Sequence, residues 1–249
     1  PFINRKYEVR FIQVKQFDRK NHSTGNPSSL NSILKKYHTE NNIPLPEWLD
    51  MYLKQDKFTT CLFGEHLLSK YPNNPIGLVE APKTAIYATL YFRNHHPLMK
   101  DAVWLATGSK GTFTKNRVRS LQGRTVYVFP DLSKDGNTFK EWETKAKEYE
   151  SRLHGTRFIF SDLLEKLAPE QDKNEGYDLA DYLIKRDWRL FRKQNIQEKK
   201  TQPEHQKVTK VTKVTHQENI FFIPEKDKPI VEVMEKPPSD LLKFAINLI

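Results

Sequence analysis

Two carboxylates in this sequence stand where apolar runs end. Glu80 closes the run Ile76-Gly-Leu-Val79, and Asp131 follows Thr125-Val-Tyr-Val-Phe-Pro130. Short apolar runs that alternate with helical stretches read as buried strands paired in parallel. Parallel strands bring their C-terminal ends to one edge, and open α/β sheets gather their chemistry there. The two acids are 51 positions apart in the chain, yet this topology makes them converge. Oxygen donors with no cysteine or paired histidine suit a hard ion, Mg²⁺ (or Mn²⁺), better than zinc. The rival reading of either acid is a helix cap or a solvated charge.

Other residues could serve the same edge. Lys83 lies near the start of the helix expected after Glu80, where it can meet a phosphate beside exposed backbone N–H groups or pair with Glu80. The turn Gly108-Ser-Lys-Gly111 lacks the P-loop spacing, but its small residues let backbone approach the strand edge. Lys110 in that turn is a candidate nucleic-acid contact. Asp178 and Asp181 have two open readings, a capping pair for the following helix or acids facing a metal. Trp188, Arg189, Phe191, Arg192 and Lys193 interleave rings with cations, as single-strand binders do, and Lys185 precedes them. Plain helix packing with basic exposed positions is the alternative. His95 and His96 are adjacent, so they point apart and read as surface.

The elements that must position these groups follow from periodicity. Residues 7–17 alternate as a strand, with a phase slip at Ile12 and Val14 that implies a bulge or a new strand. Residues 18–29, with Gly25 and Pro27, read as loop. Leu30, Ile33, Leu34 and Tyr37 are spaced as a short helix, residues 47–53 as a second, and residues 62–68 lead a third. Strands are expected at 76–80, 102–106, 125–129 and 157–160. Helices are expected at 83–94, 115–121 and 138–153, the last with Phe139, Trp142, Ala146, Tyr149 and Leu153 on one stripe. A polar loop then leads to a final helix over 177–191. The expected class is α/β, with a four-stranded, mostly parallel, Rossmann-like sheet flanked by helices. An α+β lead-in (1–73) precedes the sheet domain (74–194), and a basic linker and partly packed tail (195–249) follow it. In that tail, the triplet repeat of residues 207–215 reads as linker. Residues 220–223 and 241–249 are too apolar for a disordered tail and are expected to pack on the body or on a partner.

Composition narrows the class. No run approaches the roughly 18 apolar residues of a spanning helix, so no membrane partner is expected. Cys61 is the only cysteine, which excludes an internal disulfide and a Cys-rich zinc site; a reducing, cytoplasmic setting is the expectation. Pro1 in place of Met reads as a processed or trimmed start. The net charge of +10 is uneven: residues 185–215 hold ten Lys or Arg against three acids. Such a stretch can meet a phosphate backbone or can simply be solvated surface.

Four motifs in order then resemble a known family. Leu78-Val-Glu-Ala-Pro-Lys-Thr-Ala85, Leu105-Ala-Thr-Gly-Ser109, Val128-Phe-Pro-Asp-Leu-Ser-Lys-Asp-Gly136 and Gly176-Tyr-Asp-Leu-Ala-Asp-Tyr-Leu183 look like a Toprim domain. That is the catalytic module of bacterial primases, topoisomerases and some nucleases. The resemblance spans residues 62–190 and is closest to primase-like Toprim proteins of phages, plasmids and other mobile elements. Phe63-Gly-Glu-His-Leu-Leu68 resembles an uncharacterised branch of them. The resemblance implies that Glu80 acts as general acid or base and that Asp131 binds Mg²⁺ as the first aspartate of an Asp-x-Asp. The second falls on Ser133, a neutral and weaker ligand. Asp135 is the substitute ligand if the loop bends inward, or else part of an ordinary Asp-Gly turn. Asp178 and Asp181 match the acidic pair after the fourth strand.

Two functions stay open at this point. One is a Mg²⁺-dependent enzyme of DNA replication, a primase-like nucleotidyltransferase or a nuclease. The other is a non-catalytic Toprim-like module that binds DNA or a replication protein. An unrelated nucleotide-binding fold ranks last, because no Gly-x-Gly-x-x-Gly follows the first sheet strand.

Overall fold

Ile76, Leu78, Val103, Leu105, Val126 and Val128 pack into one buried cluster, while Val79, Trp104, Ala106 and Phe129, out of step by one, pack into another. Successive strand residues point to opposite faces. A sheet apolar on both faces must be covered on both, and that is the design of a parallel α/β sheet. The structure, a computed structural model, describes residues 1–19, 22–54, 61–95 and 99–186.

In the N-terminal region β1 (Phe2–Ile3) pairs antiparallel with β2 (Val9–Phe11), and β3 (Gln13–Phe17) with β4 (Ser23–Ser29). Helices α1 (Leu30–Glu40), α2 (Glu47–Leu53) and α3 (Leu67–Lys70) follow. The central sheet is β5 (Ile76–Val79), β6 (Val103–Ala106), β7 (Thr125–Val128) and β8 (Arg157–Phe160). Between these run α4 (Pro82–His95), α5 (Lys115–Val118) and α6 (Asn137–Arg152); α7 (Leu163–Leu167), α8 (Glu170–Glu175) and α9 (Leu179–Leu183) come after β8.

The sheet order is β6-β5-β7-β8, and every neighbouring pair is parallel. Leu78 stands level with Leu105 on one side and Val128 on the other, so the strand ends share one rim. The chain leaves β5 for β6 and returns across it to β7. Ala85, Ala88, Tyr91 and Phe92 of α4 cover one face, and Trp142, Ala146 and Tyr149 of α6 cover the other. Helices that depart to opposite faces from adjacent strands leave a crevice between the strand ends, the topological switch point of open α/β sheets. Here it lies between the ends of β5 and β7.

Gly77 makes the β5 side of this packing possible. A Cβ there would stand 2.5 Å from the Trp104 ring. Without it the indole lies over β5, stacked on Phe92 at 5.1 Å and tilted against Phe129 at 5.2 Å.

The N-terminal region packs on the open edge of β6. Phe63 forms an antiparallel bridge with Ala106, and the His66 N–H donates to the carbonyl of Ile3. The bridge covers part of a strand edge that would otherwise expose unpaired backbone groups.

The expected class holds at the level of a four-stranded sheet flanked by helices, with the sheet parallel throughout. Some elements differ from the sequence reading. The phase slip near Ile12 is a break between two strands, β2 and β3. Much of the stretch read as loop over 18–29 is strand β4, because β3 offers its polar residues a backbone partner that no side-chain pattern advertises. Residues 62–66 form turns and the bridge to Ala106, so α3 starts later than expected. The polar stretch after β8 holds α7 and α8; Leu164 of α7 and Ala168 just after it bury Leu132 in a small separate cluster. The helix expected over 177–191 is described as α9. It ends at Leu183, with residues 184–186 in a turn, and the stretch from Trp188 through Lys193, the linker and the tail lie outside the described residues.

Candidate functional site

Glu80 and Asp131 stand at the switch point, one just past β5 and the other three residues past β7. Glu80 is held by the turn after β6. The Gly108 N–H donates to the Glu80 carbonyl at 2.8 Å, and the Lys110 N–H reaches the Glu80 carboxylate. Gly108 adopts φ +102°, and a Cβ there would meet the Phe2 ring at 3.0 Å. Its lack of a side chain thus lets the turn fold under β1 and come back to the rim.

Asp178 and Asp181 arrive from the start of α9. Their carboxylates accept from each other's backbone N–H at 2.9 and 3.1 Å, a reciprocal capping box. Capping and facing the site turn out to be compatible. Asp178 is buried and also accepts from the Thr84 hydroxyl at 2.6 Å. The Lys83 ammonium, on the first turn of α4, lies 3.5 Å from Asp178 and 3.5 Å from Asp181. These side chains are 16% exposed for Lys83, 8% for Asp178 and 13% for Asp181, so the triad is shielded from water.

The four carboxylates feel one another. Burial, and then the charges of Glu80, Asp178 and Asp181, push the Asp131 carboxyl well above the ordinary aspartate range; Lys83 offsets this in part. Burial raises Glu80, opposed by the Lys110 N–H and by the charges of Lys15 and Lys110. Burial and the Asp178 charge raise Asp181. Asp131 Oδ1 is buried and has no hydrogen-bond partner. A buried carboxylate oxygen without a donor, among other acids, is costly unless a cation completes it.

That unpartnered oxygen is the test of fit for a divalent ion, and the donor set passes it. Asp131 and Glu80 offer hard oxygen donors, and Mg²⁺ commonly takes one or two carboxylates and fills its shell with water and substrate. Among the described residues, no three His, Cys, Asp or Glu side chains stand close enough to cage a metal by themselves.

Other sequence candidates fall elsewhere. Asp135 is exposed on the Ser133–Gly136 turn, closed by the Gly136 N–H to the Ser133 carbonyl at 3.0 Å, and it does not join the four acids. The Asp-Gly turn reading therefore replaces the substitute-ligand reading. The Ser133 hydroxyl accepts from the Thr138 N–H at 3.1 Å, where it caps the first turn of α6. Lys110 reaches Glu141 at 3.6 Å, with its side chain 43% exposed. Lys185 sits over the rings of Tyr177 and Tyr182, 5.1 Å from each. Arg189, Arg192, Lys193 and His96 lie outside the described residues, as does the His95 side chain.

Sequence reasoning missed Thr84 and Lys15. Thr84 had a signal, a hydroxyl at the head of an apolar helix. Lys15 had none, because the tertiary structure alone brings its charge to act on Glu80.

A family model described as a domain of unknown function, DUF6371, matches residues 1–132. The chain belongs to this family. The DUF6371 match crosses the boundary expected at residue 73 and runs through β7 to Asp131, so it takes in Lys15, Glu80, Lys83, Lys110 and Asp131. Asp178 and Asp181 lie beyond it. Comparison with curated proteins and with solved structures returned no match. Among the described residues, no helix is long and apolar enough to cross a membrane.

Proposed function

We propose that this chain is a Toprim-like protein of DNA replication or mobile elements that binds nucleic acid and Mg²⁺ and catalyses primase-like phosphoryl or nucleotidyl transfer. The observation that carries this reading is the buried, unpartnered Asp131 oxygen at the switch point, with three more carboxylates around it. Asp131 would hold the ion, with Asp178 and Asp181 close behind, and Glu80 would move a proton. Bound there, Mg²⁺ would neutralise charge on a phosphate ester and orient it.

The chain's own groups supply the rest. Burial keeps the Glu80 carboxyl protonated to higher pH than a solvated glutamate, the direction that suits a group that gives or takes a proton. The Lys110 N–H fixes one Glu80 oxygen, so the proton is handled from a defined direction. Lys83 holds Asp178 and Asp181 in place and lowers the repulsion that an incoming phosphate meets. Four acids would otherwise turn a nucleic acid away, so binding at this rim should require the cation. Most of the +10 net charge falls in residues 185–215, which favours association of that stretch with a polyanion.

Calorimetric titration with Mg²⁺ or Mn²⁺, with Glu80→Ala and Asp131→Ala as controls, tests the reading. Heat of binding that disappears in Asp131→Ala and persists in Glu80→Ala supports it, and no binding at millimolar metal removes it.

One observation favours the second reading, a non-catalytic module that binds DNA or a replication partner. The Ser133 hydroxyl at the second Asp-x-Asp position is engaged in capping α6. Metal binding without turnover of labelled oligonucleotides in the presence of nucleotides would select this reading over the enzyme.

A further inference from the structure

Asp178 and Asp181 divide their oxygens between two tasks. In each carboxylate one oxygen closes the capping box: Asp178 Oδ1 accepts from the Asp181 N–H at 3.1 Å, and Asp181 Oδ2 from the Asp178 N–H at 2.9 Å. The other two, Asp178 Oδ2 and Asp181 Oδ1, converge on one point, the Lys83 ammonium, at 3.5 Å each. Thr84 fixes one of them, since its hydroxyl donates to the same Asp178 Oδ2 at 2.6 Å. A capping box needs one oxygen from each acid, so helix capping does not account for the second pair. Nor is this a surface ion pair, because all three side chains are at most 16% exposed. At 3.5 Å neither contact has the length of a close charge-assisted hydrogen bond, so the ammonium acts chiefly as a charge set between two acids.

Backbone contacts place this cation at the switch point. Lys83 is on the first turn of α4, directly after β5. The Leu132 N–H donates to the Tyr177 carbonyl at 2.9 Å, which ties the start of α9 to the loop after β7. Asp131 precedes Leu132 in the chain, and Asp178 follows Tyr177. Two carboxylate oxygens from different residues are also a usual protein share of a Mg²⁺ shell, with water supplying the remainder. A divalent ion in place of the ammonium would draw those oxygens in to about 2.1 Å.

Taking Asp131 as the ligand of a first ion, as proposed above, we propose that the Lys83 ammonium occupies a second cation position of this rim. The native chain then takes one divalent ion, and a chain without the ammonium takes two. Two-metal sites hold the attacking and leaving oxygens of a displacement between ions about 3.5–4 Å apart. With Lys83 in one of the two places, the rim sets a fixed single charge beside one exchangeable ion. Removal of the ammonium leaves Asp178 Oδ2 and Asp181 Oδ1 withdrawn from water and without a cation, a costly state that a hydrated divalent ion relieves.

The experiment counts Mn²⁺ bound by the full chain, from the electron paramagnetic resonance of the free ion. The wild type should bind one ion per chain, as should Lys83→Arg, which keeps a cation in place. Lys83→Ala should bind two, and Lys83→Ala combined with Asp181→Asn should return to one. Lys147→Ala, which removes an ammonium 3.2 Å from Glu143 on α6, should stay at one. Thermal unfolding covers a variant that is unstable without metal: Mn²⁺ should raise the melting temperature of Lys83→Ala more than that of the wild type. One ion in both wild type and Lys83→Ala, or a variant that Mn²⁺ stabilises no more than the wild type, overturns the second position and leaves the proposed function standing. Two ions in the wild type also overturn it. A wild type that binds none while Lys83→Ala binds one overturns the proposed function alone, and no ion in either overturns both.

Discussion

Replacing Asp131 by Asn should make the metal-free protein more stable. The substitution keeps the side chain's shape, so packing is conserved, and it removes one charge from a buried group of four acids. A buried polar group left without a partner costs about 1–3 kcal/mol, and more when it is charged. The amide keeps some of that cost but escapes the repulsion of Glu80, Asp178 and Asp181. A gain of about 2 kcal/mol is expected at pH 8, or a rise in Tm of roughly 4–8 °C for a chain of this size. The sign reverses expectation for a core mutation, most of which destabilise. Folding raises the carboxyl's pKa, so its destabilising effect is absent below the ordinary carboxylate range and grows as pH rises through the folded value. The difference between wild type and variant should therefore vanish near pH 4, about the ordinary aspartate pKa. Mg²⁺ should invert the ranking. At a hundred times Kd it stabilises by about 2.7 kcal/mol a protein that binds it only when folded, and the variant should gain little. Thermal unfolding followed by circular dichroism at several pH values, with and without Mg²⁺, reads all of this. A metal-free variant that melts below the wild type, or one that gains as much from Mg²⁺, would refute the reasoning.

Other substitutions test the surroundings of the site. Gly77→Ala puts a Cβ 2.5 Å from the Trp104 ring and should cost about 1–3 kcal/mol in chemical denaturation, because the ring is held by Phe92 and Phe129 and cannot retreat. Lys83→Met leaves Asp178 and Asp181 without their ammonium and should cost about 3 kcal/mol at pH 8, read from urea melts. Ser133→Ala should cost about 1 kcal/mol in the same melts through the lost bond to Thr138, with metal affinity by calorimetry unchanged.

The sheet was legible because each strand is a short apolar run with a punctuated end. Residues 157–160 are a strand in both readings, and 76–80, 102–106 and 125–129 exceed the observed strands only by a terminal residue. The shared rim followed from topology: once β5 and β7 are parallel neighbours, Glu80 and Asp131 must approach. The double role of Asp178 and Asp181 was visible only as two competing readings, since sequence cannot say where Lys83 and Thr84 lie. Strand β4 was hidden because Ser, Thr, Gly, Asn and Pro carry turn signals, and only the edge of β3 makes them a strand. Lys15 was hidden for the same reason, 65 positions upstream of the glutamate it acts on.

The central claim is that the acids at the β5–β7 switch point bind a divalent cation. Electron paramagnetic resonance of free Mn²⁺ measures this directly when the ion is titrated into the protein. The wild type should show one site per chain, competed by Mg²⁺ and lost in Asp131→Asn. Mn²⁺ that stays free at millimolar concentration, or that binds Asp131→Asn as well as the wild type, would contradict it.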